Sequence, residues 1–422
     1  MAAHPHDHHH GPLLYINQML DCYDISPING FACGGTSITT FADPSFKPWL
    51  QTASNLPNLI SSKKLRSTID SWPHLSPEQL VSLEEYRLAY LLLGHLVHAY
   101  IWANLAEESP CPRIPAPLAR PFLEIVNELE VPLGICFAST ALWNYTLDSE
   151  GKEGCVVGFT GTSDEVHFNL TSRRVEVAGA EALTAALKAA RVAARTDKET
   201  VAEVQKLLKQ VAQSLGQCKV ELLKMKDGLD PAIFYHRLRP YLVSSQALPD
   251  GVVFVTDTDA DDRYQLGGST GGQSSLFQAL DILLGVQHSD ASGRAQFVQS
   301  MRRGMPSGHA RFLEDIRVLP SIRTFVQNQV KAENGAEELV ATFNAALDVL
   351  KTYRDSHVQV VTLFVVTPAG KTAAADGNNA NNPGSTANFD ESGSTEPRGT
   401  GGSELFSLLK GMREDMKEAR LG

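Results

Sequence analysis

Apolar residues recur at helical spacing in one segment of this chain after another, and few stretches alternate as strands do. The strongest signal covers 337–351, with Leu339, Val340, Phe343, Ala346, Leu347 and Leu350 at that spacing. It runs on through Tyr353-Arg354-Asp355-Ser356-His357-Val358-Gln359-Val360-Val361 into the apolar stretch Leu363-Phe364-Val365-Val366. Over 82–106, Leu83, Tyr86, Leu91, Leu92, Leu96, Tyr100 and Trp102 make a broad apolar surface. Further helices are predicted over 175–195, 199–226, 274–286 and 404–421. Asp230-Pro231 supplies an N-cap followed by proline at the first helical position, opening another helix through Leu242. The fold class this implies is mainly all-α.

At 422 residues the chain is long enough for two or three domains. Residues 1–12 are His-rich, and a tail with no fold of its own is expected there. Residues 13–158 form a small, mostly helical N-terminal domain, with a proline-dense connector over 110–121 and a glycine-rich boundary near 158. A large helical domain covers 159–366. Ala, Asn, Gly, Ser and Thr dominate 367–403, which predicts a mobile loop or lid, and 404–422 returns as the last helix of the large domain. With 37 basic against 48 acidic residues and no basic stripe, nucleic acid is excluded as a main partner. The six cysteines are scattered with no Cys-x-x-Cys pair, so neither a zinc site nor a disulfide framework is expected, and a cytoplasmic setting is. No apolar run approaches the roughly 20 residues of a membrane span, and no membrane partner is expected.

Arg354 and His357 stand one helical turn apart. A neutral imidazole is a good iron ligand, and a guanidinium suits the carboxylates on a haem edge. A lone histidine on a partly apolar helix is more often an ordinary core or surface residue, so the pair alone decides nothing. His95 and His98 could face one metal, but no carboxylate cluster accompanies them, and buried or half-buried histidines are expected. Asp257, Asp259 and Asp261 imitate a calcium loop, yet Asp262 stands where its glycine belongs and Gly268 where its closing glutamate belongs. The cluster Gly267-Gly268-Ser269-Thr270-Gly271-Gly272 fits a nucleophile elbow only in spacing, since no clean buried strand precedes it. No βαβ unit supports a dinucleotide loop. Pro368-Ala369-Gly370-Lys371-Thr372 echoes a phosphate loop, but Val365 holds the place of its first glycine. Two readings of the glycine cluster stay open: a flexible loop before a helix, or small residues letting backbone amides and Ser269 close over a flat ligand.

Three long stretches carry a resemblance. Gly268-Ser269-Thr270-Gly271-Gly272-Gln273-Ser274-Ser275-Leu276-Phe277-Gln278-Ala279-Leu280-Asp281-Ile282-Leu283-Leu284-Gly285 is similar to the signature of indoleamine 2,3-dioxygenases. Met301-Arg302-Arg303-Gly304-Met305-Pro306-Ser307-Gly308-His309-Ala310-Arg311-Phe312-Leu313 resembles the family's second signature, and Arg354 to Thr362 its haem-ligand helix. Weaker similarity runs from Leu96 to Trp102, through Leu238 to Leu242, to Gly399–Ser403, in family order across most of the chain. The fold this implies is a small N-terminal domain over a large all-helical haem domain, as in fungal-type members.

The resemblance also implies roles. His357 would be the proximal ligand of the iron of haem b, Arg354 would pair with a haem propionate, and Asp281 and Ser269 would support the cofactor. We expect Asp281 to neutralise Arg354 or a neighbouring cation, because a buried unpaired carboxylate is costly. Phe168, Ser172, Phe234 and Arg239 match catalytic pocket positions, with Arg239 gripping an amino-acid carboxylate through its planar fork. Phe137, Ser139 and Thr140 align with the inner lining, Tyr235 with a substrate contact, and Thr400 with a loop closing over substrate. Tyr235, Asn169 and His167 depart from the residues expected there and would bring polar groups toward the distal pocket.

The implied reaction inserts both atoms of dioxygen across the indole C2–C3 bond of L-tryptophan, giving N-formylkynurenine on the kynurenine route toward NAD. The partners would be L-tryptophan or a related indole and O2, and a monomer is expected. Two alternatives remain: a paralogue of the same fold acting on another indole or weakly on tryptophan, and a helical interaction protein that has lost haem.

Overall fold

Ser82 begins the helix that the rest of the N-terminal half surrounds. Its hydroxyl accepts from Glu85 N–H at 3.3 Å, while the Glu85 carboxylate accepts from the amides of Val81 (2.8 Å) and Ala42 (2.6 Å). From this cap runs Leu83–Trp102, in which every residue from Leu88 onward is buried. A helix that is apolar on all sides belongs inside the protein. The computed structural model describes residues 11–32, 37–104, 107–195, 199–245, 248, 250–256, 262–288, 293–332, 336–376 and 405–422.

Among the described residues the architecture is mostly helical. Glu199–Leu223 lies between Ala180–Val192 and the long helix Glu337–Val361, and also packs on Ser163–Ala178. The helix Glu337–Val361 buries Leu339, Phe343, Ala346, Leu347, Leu350, Tyr353 and Arg354, the stripe that its spacing predicts, now extended to the residues around His357. Strands are few. Val252–Phe254 pairs in parallel with Arg113–Ile114 and antiparallel with Arg263–Tyr264, and Thr146–Leu147 forms a short hairpin with Glu153–Gly154. Apolar side chains from before and after residue 158 share one continuous core.

Several boundaries differ from expectation. The 110–121 connector is in its second half helical, since Ala116–Leu129 is a helix with Pro121 inside it. An interior proline costs about 3 kcal/mol. Burial of Leu118, Phe122, Ile125 and Val126, at roughly 1.5–3 kcal/mol each, outweighs that. The single helix expected over 175–195 is two, joined at Gly179. The glycine-rich stretch before Ser163 is tied down: Asn144 accepts from the amides of Val156 and Val157, and Glu165 accepts from those of Phe159 and Thr160. Thr367–Asp376 continues as helix, so the low-complexity segment does not begin as a loop at 367; residues 377–404, with Thr400, lie outside the described residues.

Among the described residues three wide π turns occur: Ala138–Leu142 stands alone, while Phe234–Leu238 and Thr362–Val366 interrupt helices. Each contributes to the wall of one cavity, through Thr140 and Ala141, Phe234, and Phe364 and Val365 respectively. An extra residue per turn rotates a side chain off its ordinary face, which is why such turns gather at functional sites. No helix among the described residues is long and apolar enough to cross a membrane.

Candidate active site

The cavity, about 260 Å³, is lined by segments far apart in the sequence. Helix Ser163–Ala178 presents Phe168, Ser172 and Glu176, four residues apart and hence on one face. Helix Glu337–Val361 presents Tyr353, Arg354 and His357, and the loop from Ser269 to Gly272 crosses between them. Phe137, Thr140, Phe234 and Arg239 complete one part of the wall, and Leu408, Leu409 and Met412 of the C-terminal helix Leu405–Ala419 another. Lining atoms are overwhelmingly apolar side chains, with His357 the lone histidine among the described lining residues.

His357 is half-buried, with its open side on the cavity. No hydrogen bond engages either ring nitrogen among the described residues, and burial, aided by the Arg354 charge, pushes its pKa down to about 4. The imidazole is therefore neutral at pH 7, with a lone pair available to a metal. Gly271 faces it: a Cβ at that position would stand 3.8 Å from Nε2, inside the space a flat cofactor on that nitrogen needs. Gly268 is required for another reason, since a Cβ there would come within 2.5 Å of the Leu242 carbonyl oxygen and the Ser244 nitrogen. Gln273 holds this loop in place, accepting from Phe137 N–H at 2.8 Å and donating to the Gly268 carbonyl at 2.9 Å. An apolar slot, a neutral cavity-facing imidazole and a buried guanidinium one turn away fit a haem with its carboxylates. No cluster of three or more His, Cys, Asp or Glu that could hold a bare metal ion occurs among the described residues.

Arg354 donates to both carboxylate oxygens of Asp281, at 2.8 and 2.6 Å, the neutralising pair expected for a buried acid. Burial alone would raise the Asp281 carboxyl; the Arg354 and His288 charges outweigh it and hold the group below the usual aspartate value. On the other wall, Phe168 and Phe234 lie with ring centroids 5.0 Å apart, and Phe234 meets Phe364 edge-on at 6.0 Å. Ser172 donates its hydroxyl to the Phe168 carbonyl at 2.8 Å. Thr140 and Ser269 share a hydrogen bond of 2.7 Å at the wall. Arg239 is buried, which pushes its pKa down, and its guanidinium sits 5.3 Å from the centre of the Tyr235 ring.

Thus Phe137, Thr140, Phe168, Ser172, Phe234, Arg239, Ser269, Asp281, Arg354 and His357 come together around one cavity. Tyr235 does not reach its wall. It follows Phe234 in the π turn, and while Phe234 lines the cavity Tyr235 lies off it, with its ring near the Arg239 guanidinium. Asn169 and His167 are likewise off the wall, because helical neighbours of Phe168 project to either side of it. His167 bonds the Lys224 carbonyl at 2.8 Å instead. Ser139 is also off the lining: its hydroxyl accepts from Cys136 N–H at 2.9 Å. His95 and His98 are both buried; His98 donates from Nδ1 to the Tyr241 carbonyl and accepts at Nε2 from Ile135 N–H, bracing the segments that lead to Phe137 and Arg239.

Glu176 was not foreseen, although its place four residues after Ser172 would have indicated it. It is 2% exposed; one oxygen accepts from the Ser274 hydroxyl at 2.5 Å and Oε2 has no partner among the described residues. Burial pushes its carboxyl up to about 7, with the Ser274 bond opposing. An acid raised in the folded state stabilises fully below its ordinary value of 4.5 and loses that contribution as pH climbs through 7. A rise of that size is worth about 3 kcal/mol at most. In haem-free protein the urea midpoint should therefore fall between pH 5 and pH 8, and Glu176→Gln should flatten the fall. Parallel curves for the two proteins would contradict this.

Residues 19–419 match the family model described as indoleamine 2,3-dioxygenase. The chain is 32% identical to indoleamine 2,3-dioxygenase of Saccharomyces cerevisiae, covering 94% of this chain and 92% of that protein. It is 31% identical to indoleamine 2,3-dioxygenase 1 of Rattus norvegicus, over 89% and 90%. It is 29% identical to 6-hydroxytryptophan 2,3-dioxygenase of Fusarium equiseti, over 95% and 97%. A match over nearly the whole length, with a cavity built around His357 and the glycine loop, places this chain in the indoleamine 2,3-dioxygenase family, haem-dependent dioxygenases of indole substrates.

Proposed function

We propose that this dioxygenase cleaves the indole C2–C3 bond of L-tryptophan with O2, giving N-formylkynurenine, with haem b held on His357. The observation that carries the reading is the buried Arg239 on the same apolar cavity as His357: a planar, permanently charged fork suited to the carboxylate of an aromatic amino acid. When bound, the haem supplies the activation of dioxygen that no side chain here can perform. The protein supplies the rest. Phe168 and Phe234 present ring faces and edges to an indole, Arg239 fixes the acid end, and the apolar wall keeps water from the reacting carbons. Arg354, already paired with Asp281, would meet a haem carboxylate.

Ser172 is not a base in this scheme. Its proton is committed to the Phe168 carbonyl, and it serves to adjust the position of substrate or oxygen. Ser172→Ala should lower turnover by no more than a few-fold; a loss of 100-fold or more in kcat would instead make the hydroxyl a proton carrier. A second substrate is favoured by the Fusarium relative, whose name specifies 6-hydroxytryptophan, together with the Thr140–Ser269 hydroxyl pair at the cavity wall. Steady-state assays on L-tryptophan, 6-hydroxytryptophan, tryptamine and indole decide between them: the proposal requires the highest kcat/KM for L-tryptophan.

A further inference from the structure

A chain of five buried or half-buried charged groups leads away from the cavity, and neither the cofactor nor the substrate reading uses most of it. It starts at Arg354, which donates to Asp281 and, through its other terminal nitrogen, to the Met412 carbonyl at 3.2 Å. His288 Nε2 meets Asp281 at Oδ2, 3.1 Å away, the oxygen that also takes the shorter of the two Arg354 bonds. His288 Nδ1 lies 2.8 Å from Asp415, and Asp415 accepts from Arg294 at 2.5 and 3.0 Å. The side chains of Asp281 and Asp415 are 5% and 0% exposed and that of His288 is 9%, so this is not a surface network.

The geometry fixes the charge of the middle residue. A neutral imidazole donates from one nitrogen only, whereas here both nitrogens face carboxylate oxygens, which accept and do not donate. His288 is therefore an imidazolium. Burial opposes that charge, but the two aspartates lift its pKa above the usual histidine value, against the repulsion of Arg354. With His288 protonated the chain alternates in sign from Arg354 to Arg294 and carries one net positive charge.

Asp415 belongs to the C-terminal helix Leu405–Ala419, which brings Leu408, Leu409 and Met412 to the cavity wall. Arg354 belongs to the helix of His357. We infer that His288 is a positioning residue for the cofactor: by bridging Asp281 and Asp415 it makes docking of the C-terminal helix and retention of haem a single event. The inference rests on the reading of His357 as the haem ligand.

Two measurements on the full-length protein test it. Hydrogen exchange of the haem-free protein reads the docking of residues 405–419, and transfer of haem from the loaded protein to excess apomyoglobin reads retention. In Asp415→Asn and His288→Leu, amides of 405–419 should exchange at least tenfold faster while those of Leu83–Trp102 do not change, which a general loss of stability would not produce. Haem should leave both variants at least tenfold faster. Lys417→Ala, on the same helix in an exposed pair with Glu414, should match the unaltered protein in both. If His288→Leu does not fold, the nearly isosteric Asp415→Asn decides alone. Unchanged exchange in 405–419 would overturn the bridge, and faster exchange with haem loss at the original rate would overturn the coupling. A native protein that takes up no haem at all would refute the reading of His357, and with it the retention half of this inference, leaving the exchange result to decide the bridge.

Discussion

Replacing His357 by alanine is expected to remove turnover to the level of haem alone in solution and to weaken haem binding by at least 100-fold. Among the described residues lining the cavity it offers the one imidazole, kept neutral by burial and without a hydrogen bond that would occupy its nitrogens. The hole left by the substitution should admit free imidazole, so millimolar imidazole should restore part of the haem binding and part of the activity. By contrast Arg354→Ala removes the residue proposed to meet a haem carboxylate and leaves Asp281 to His288, so haem should loosen but still bind. Comparable haem affinity in His357→Ala and the unaltered protein would remove the foundation of this account.

Arg239→Ala is the second large effect. Truncating one partner of a buried, hydrogen-bonded charge pair costs about 2–5 kcal/mol, which at 1.4 kcal/mol per tenfold is a loss on the order of 10²-fold in kcat/KM. The loss should be confined to substrates that carry a carboxylate. Tryptamine, which has the indole and the amine but no acid, should be turned over equally by variant and parent. Arg239→Lys should recover only a part, because an ammonium is a point charge and cannot present two parallel donors, and because Tyr235 is set 5.3 Å from a guanidinium, a planar group that can lie against its ring. An equal loss on tryptophan and tryptamine would show that Arg239 supports the pocket wall without reading the acid.

The helix that carries His357 was legible in the sequence because its burial follows a simple period, and Arg354 one turn earlier followed from the same geometry. For Asp281 the resemblance implied burial, and the cost of an unpaired buried carboxylate called for Arg354 or a neighbouring cation; both Arg354 and His288 meet it. The orientation of Tyr235 did not. Which of two adjacent aromatic residues faces the cavity depends on a π turn whose bond runs from Arg239 N–H to the Phe234 carbonyl, and that turn is set by what packs around it. The bridge of His288 was hidden for a related reason: its partners lie 7 and 127 positions away, on elements whose approach no local pattern encodes. Glu176 stands between these cases. Its face was readable from Phe168 and Ser172, but only burial in the assembled core makes its carboxyl unusual.

The measurement that bears most directly on the central claim is a titration of haem-free protein with ferric haem, followed in the Soret region. One equivalent should bind and saturate, and L-tryptophan should then shift the band in the native protein but not in Arg239→Ala. Absence of a Soret band from the native protein, or a tryptophan-induced shift that persists in Arg239→Ala, would contradict a haem on His357 beside a carboxylate clamp.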